Sequence, residues 1–330
     1  MFTVIAAAAF LTSTSVPASA EPSAPSHSTA DNVEIILDHA EIMELPTALS
    51  TAAEPAESIL ADAVISDVLN ERDTELSTLA AQERDVRVDI REASDSTAFG
   101  VAIVTAPMGA DEDPQAWLFA AEHDNSGWDV GLEGTEEFSS LLTDSPLLDE
   151  EERESIAAST DPAQTAPTNY IGLGLPFAIG TSMVMTGGPH GDIGESLDFA
   201  GGESLARASR GGYAYSLCDG WTRVIHDNGY STDYYHLEDY QWLPGNDVEV
   251  GHYLGSQGNS LCAGGSTTGA HIHYSLRGYT DPNAAGWYLT MDGKTLGGWT
   301  FVQGSQYDGY AYRDGVGTVY PGGLVHNYGF

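Results

Sequence analysis

Lysine is almost missing from this chain: Lys294 is the only one in 330 residues, and 11 basic side chains stand against 49 acidic ones, for a net charge of -38. A surface so short of cations cannot neutralise a row of phosphates, which argues against any nucleic-acid partner. It suits a saline medium or a cationic partner instead. Long apolar runs are missing too beyond the first residues, so no later segment is expected to span a membrane. Several catalytic signatures are absent. There is no His-Glu-x-x-His helix, no Gly-x-Ser-x-Gly nucleophile elbow and no phosphate loop. Gly172-Leu-Gly174 is followed by Leu175-Pro176, which cannot open a dinucleotide-binding helix. Only two cysteines occur, Cys218 and Cys262.

The amino end reads as an export signal. Residues 1-20 run through an Ala-rich apolar stretch to Leu11 and reach Ala18-Ser19-Ala20, a small-residue cleavage pattern, although a positive n-region is missing. An exported protein with an even number of cysteines pairs them, so a Cys218–Cys262 disulfide is expected, contributing roughly 3–4 kcal/mol. The length suits two domains. Charge divides the chain the same way, since residues 21-161 hold 34 of the 49 acids and only five of the 11 bases.

Residues 21-35, rich in Ser, Pro and Ala, are expected to be a disordered start. Apolar residues from Ile42 to Leu69 recur at mixed three- and four-residue spacing, which predicts one or two amphipathic helices over 40-90. Strands are predicted from Phe99, Ala116 and Trp128, then a loop and acidic helix over 135-154, giving a small α+β unit. Ser159 to Thr168 has linker composition, and the boundary falls there. From Tyr170 the pattern becomes Gly, Tyr and short alternating strands, as in an all-β domain. Asn228-Gly229 predicts a tight hairpin turn that leaves His236 at a strand exit. Further strands are expected around 248-250, 270-276 and 299-303. The predicted organisation is a signal at 1-20, an acidic domain at 21-160 and a second domain at 161-330.

The chemistry gathers in that second domain. In an extended strand alternate side chains share a face, so His271 and His273 place both imidazoles on one side. His190, Asp198 and His236 join them in the same half, a set of nitrogen and oxygen donors of the kind a catalytic zinc accepts while keeping one position for water. Any one of these residues alone would be uninformative. His226 and His252 are expected to be structural or solvated, and His27, His39 and His123 to belong to no site.

The ordered series Gly187-Gly-Pro-His190, Ser196-Leu-Asp198-Phe199, Val224-Ile-His-Asp-Asn-Gly-Tyr-Ser231, Tyr234-Tyr-His236-Leu237, Val248-Glu-Val-Gly251, Leu254-Gly-Ser-Gln-Gly-Asn259 and Thr268-Gly-Ala-His271-Ile-His273-Tyr-Ser-Leu-Arg277 resembles the lysostaphin-type zinc endopeptidases, in particular the beta-lytic, staphylolysin-like branch. The resemblance covers about residues 165-330. It implies an antiparallel β catalytic domain of lysostaphin type. The α+β domain before it, exported, acidic, ahead of a linker and outside the motif series, resembles a propeptide in placement and is expected to cover the cleft as folding aid and inhibitor until the linker is cut; the alternative is a permanent accessory domain. The family resemblance also implies one Zn2+ held by His190, Asp198 and His273, with His236 and His271 as unligated histidines that handle the proton of the attacking water. A cationic metal keeps those neighbours neutral, so activity is expected to be higher at neutral to alkaline pH than in acid. Leu296-Gly-Gly-Trp-Thr-Phe301 and Tyr307-Asp-Gly-Tyr-Ala-Tyr-Arg313 resemble the branch's C-terminal extension, and Tyr307 is the candidate oxyanion donor. The implied role is a secreted endopeptidase acting on peptidoglycan cross-bridges or glycine-rich proteins such as elastin. The alternatives are a D-alanyl endopeptidase of the wall stem peptide and a non-catalytic wall-binding activator.

Overall fold

The computed structural model describes residues 29–30, 33–36, 41–42, 56–161, 169–279 and 288–330. The expected signal at 1-20 and most of the expected linker lie outside these residues. Within the predicted disordered start, Thr29–Ala30 and Val33–Ile36 pair as short antiparallel strands. The predicted helical stretch over 40-90 is only partly helical: helices Ala56–Glu71 and Leu76–Ala81 are followed by the strand Val86–Ala93. Val86, Val88 and Ile90 alternate with polar residues at the strand period, a local pattern stronger than the helical spacing preceding it.

In the N-terminal half, strands Val86–Ala93, Thr97–Val104, Gln115–Asp124 and Gly127–Leu132 form antiparallel hairpins, with Val33–Ile36 added in parallel at one edge. Side-chain alternation gives this sheet two apolar faces. Ala98, Ala102, Val104, Trp117 and Phe119 pack with Leu60, Val64 and Val68 of the helix Ala56–Glu71. Phe99, Val101, Ile103, Ala116, Leu118 and Ala120 point the other way. Helices Glu136–Asp144 and Glu150–Thr160 pack on that second face, where Phe138, Leu142 and Ile156 are fully buried. Thr135 caps the first helix by accepting from the Phe138 amide, and Asp149 caps the second by accepting from Glu152. Acidic residues crowd both first turns, where the helix dipole favours negative charge.

The second half is the all-β domain that the sequence predicts. Its main sheet has eight antiparallel strands in the order Pro244–Val248, Gly212–Cys218, Trp221–His226, Tyr230–Tyr235, Ile272–Gly278, Ser196–Ala200, Ser182–His190 and Leu324–His326. The strand expected around 248-250 lies earlier, at Pro244–Val248, as an exposed edge. Gly229, at a φ of 78°, makes the turn between Trp221–His226 and Tyr230–Tyr235. One face buries Met183, Met185, Leu197, Phe199, Val224, Tyr234, Ile272, Tyr274 and Leu276 in the domain's own core. The opposite face carries Tyr213, Tyr215, Leu217, Trp221, Ile225 and Tyr235, which pack on Phe99, Val101 and Leu118 of the N-terminal sheet. A disulfide joins Cys218 to Cys262. A second, four-stranded sheet contains Trp299–Gly304 and Gln306–Arg313, and lies against the strand Ser182–His190.

Candidate metal centre and cleft

Strand register assembles the site. His273 pairs with Asp198 on one side and with Tyr235 on the other, and Asp198 in turn pairs with Gly187. Irregularities between Gly187 and His190 shift the last residues of that strand and bring His190 opposite Ser196. Because Ile272 and Tyr274 point into the domain core, His273 must point to the opposite face, the one that meets the N-terminal half.

His190, Asp198 and His273 are 5, 8 and 6% exposed, and their ligating atoms lie within 4.8 Å of one another. Nδ1–H of His190 donates to the Gly188 carbonyl at 2.8 Å, leaving its Nε2 3.4 Å from His273 Nδ1 and 3.5 Å from Asp198 Oδ1. His273 Nδ1 is 3.1 Å from that same carboxylate oxygen. Two nitrogens and one oxygen therefore converge on one point. His236, His271 and His273 form an adjoining group of the same kind. His236 leaves its strand with a φ of 67° and donates Nδ1–H to the Ser260 carbonyl at 2.8 Å, while its ring stacks on Tyr235. His271 likewise directs Nδ1 at the Gly269 carbonyl at 2.7 Å, with Nε2 3.3 Å from Asp198 Oδ1. The rings of His236 and His271 are 4.7 Å apart. Tyr307 lies over His190 with ring centroids 4.3 Å apart.

Electrostatics sort these groups. Burial alone would raise Asp198, but His190, His271 and His273 hold it well below the usual carboxylate range. Burial lowers His190 despite the nearby carboxylate. Burial, reinforced by His273 and His271, lowers His236 to about 3, so it is neutral at any ordinary pH. Burial would lower His273 as well, yet Asp113 and Asp198 together push it well above the ordinary value.

Asp113 belongs to a feature the sequence did not reveal. The loop between strands Thr97–Val104 and Gln115–Asp124 of the N-terminal half enters the cleft of the C-terminal half. The Ala106 amide donates to the Ala263 carbonyl and the Gly109 amide to the Gly265 carbonyl, and Met108 forms a parallel bridge with Gly265. A Cβ on Gly264 would stand 1.9 Å from the Ala106 carbonyl oxygen, so only glycine admits this approach. Farther along the loop, Asp113 Oδ2 lies 3.5 Å from His273 Nε2, and Tyr307 donates to Asp111 Oδ1 at 2.5 Å. A cavity of about 610 Å³ lies between this loop and the histidines, bounded by Asp111, Asp113, Asp198, His236, His271 and Tyr307. With 49 acids in the chain, nothing singled out Asp111 or Asp113 in advance.

A buried charge network also joins the halves. Arg223, fully buried, pairs with Glu133 of the N-terminal half at 2.6 Å and with Asp233 at 2.7 Å. Tyr279 donates to Glu133, and Arg223 and Arg277 both donate to the Ala116 carbonyl. The remaining described histidines stay apart from the site. His226 is buried between the Gly211 carbonyl and the Thr232 hydroxyl, and burial lowers it to about 4. His252 meets Gln241, His326 meets Ser182, and His123 lies edge-on to Trp128, while His27 and His39 lie outside the described residues.

The donor set suits a divalent ion that takes imidazole and carboxylate ligands. No family model matches the chain. Among curated proteins, the beta-lytic metalloendopeptidase of Lysobacter enzymogenes is 32% identical over 156 residues, which are 41% of this chain and 83% of that protein. Protease LasA of Pseudomonas aeruginosa is 34% identical over 108 residues, 30% of this chain, and the match spans about a quarter (24%) of its length. Among solved structures, the M23 metalloprotease pseudoalterin aligns at 26% identity over 47% of this chain and 97% of its own, with a TM-score of 0.41. Sequence likeness over most of the Lysobacter protein's length is what decides the assignment: the chain belongs to the beta-lytic metalloendopeptidase family.

Proposed function

We propose that this chain is an exported zinc endopeptidase, made as a proenzyme, that hydrolyses peptide bonds in bacterial peptidoglycan cross-bridges or in glycine-rich proteins. The convergence of His190, Asp198 and His273 on one point beside an open cavity carries this reading. A zinc ion held there supplies Lewis-acid chemistry and lowers the pKa of water. The chain's own residues do the rest. Asp198 stays ionised as an anionic ligand. His236 and His271 each commit Nδ1 to a main-chain carbonyl, which leaves Nε2 to take a proton and return it to the leaving amine. Tyr307 stacks on His190, and once its hydroxyl is free of Asp111 it can donate to a developing oxyanion. Gly264 and Gly265 form an edge on which a peptide backbone can lie close.

In the proenzyme the N-terminal half acts as the cover, because its loop takes that edge and engages the Tyr307 hydroxyl. The test is digestion of purified peptidoglycan, pentaglycine and elastin by the matured protein, with mass spectrometry of the fragments. Glycyl-bond fragments that vanish with a chelator and return with zinc support the reading. Cleavage that survives complete metal removal overturns it.

A further inference from the structure

We propose that Asp113, carried by the N-terminal half, is the outer carboxylate of His273, so that the metal site of the full chain is completed across the interface between its halves. This rests on reading His190, Asp198 and His273 as the metal-holding set. The two ring nitrogens of His273 face different partners: Nδ1 faces Asp198 and His190 at 3.1 and 3.4 Å, whereas Nε2 faces Asp113 at 3.5 Å. A proton held on Nε2 by a carboxylate leaves the Nδ1 lone pair aimed at the other two donors, and the negative partner makes that lone pair more basic.

The other three site histidines are arranged differently. His190, His236 and His271 each anchor their outer nitrogen on a main-chain carbonyl of their own half, at Gly188, Ser260 and Gly269. For His273 that anchor is a side chain from the other half. Asp113 is also firmly placed, although its side chain is 30% exposed. Arg84 reaches the Asp113 and Thr105 carbonyls and pairs with Glu112, the Tyr288 hydroxyl donates to the Pro114 carbonyl, and the amides of Ala106 and Gly109 tie the start of the loop to residues 263 and 265. The N-terminal half then does more than cover the cleft. It orients a ligand while the metal is loaded.

The experiment titrates the metal-stripped full chain with Zn2+ against a competing chromophoric chelator and reads affinity, with no assay of activity. Replacing Asp113→Asn keeps the shape and removes the charge, and should weaken zinc binding about 10–100-fold. Asp113→Glu should recover part of that loss, and Asp95→Asn, an exposed acid in the turn at the other end of strand Thr97–Val104, should leave affinity within about twofold. Unfolding midpoints of the metal-free variants establish that each is folded. Zinc binding by Asp113→Asn as tight as wild type, or tighter, overturns the proposal alone. A wild-type chain that binds no zinc, or a His190→Ala variant that binds it equally well, overturns the metal-site reading itself.

Discussion

The two sheets use side-chain alternation to opposite ends. In the N-terminal sheet both faces are apolar, and each is covered, one by the helix Ala56–Glu71 and the other jointly by two helices and the C-terminal sheet. The C-terminal sheet also has one face closed by its own core, but its other face mixes aromatic residues with Arg223, Asp233, Asp198 and His273. Chemistry thus sits on the face that the N-terminal half covers. The half that lies over the His–Asp cluster is also a packing partner of the apolar and charged groups around it.

The largest effect that would break this comparison lies at the metal set. His190→Ala or Asp198→Ala should abolish stoichiometric zinc and lower cleavage by about 10³-fold or more, since the Lewis acid is worth several kcal/mol; metal analysis and peptide assays read this. His236→Ala should retain zinc and substrate binding while cleavage falls about 10²–10⁴-fold, as for loss of a general base. Next comes the charged seam. Glu133→Ala strips Arg223 of one of its two buried carboxylates and Tyr279 of its acceptor, which should destabilise the full chain by about 3–5 kcal/mol in denaturant unfolding. The same seam bears on the proposed maturation. Cutting between Ser159 and Thr168 should leave the halves associated on gel filtration, because separation exposes Tyr213, Tyr215, Trp221 and Tyr235 together with Arg223.

The smallest effect sharpens the picture at Glu152. Burial raises its carboxyl to about 7 even though Tyr215 donates to it at 2.7 Å. An acid whose folded pKa is raised favours the fold most when protonated. Its contribution is full below the unfolded value of 4.5 and is lost as pH rises through about 7. Glu152→Gln should therefore raise the melting temperature by about 2–4 °C at pH 8 and leave it nearly unchanged at pH 4. A larger gain in acid would contradict this assignment.

Much of the C-terminal half was legible because its signals are local. Asn228-Gly229 fixes a hairpin, a spacing of two puts His271 and His273 on one face, and His236 follows its strand directly. In the N-terminal half the strands from Phe99, Ala116 and Trp128 were legible for the same reason. The strand Val86–Ala93 was lost inside an apparent helical spacing, although Val86, Val88 and Ile90 carry its alternation. Asp111, Asp113 and Glu133 could not be read at all. Asp113 meets His273 and Glu133 meets Arg223 across 160 and 90 positions, respectively, and no local pattern records which acid among 49 turns inward.

Zinc stoichiometry of the full chain and of its His273→Ala variant tests the central claim most directly. One tightly held ion per chain is expected in the wild type and none in the variant, with both folded. An equal zinc content in the two proteins would contradict it.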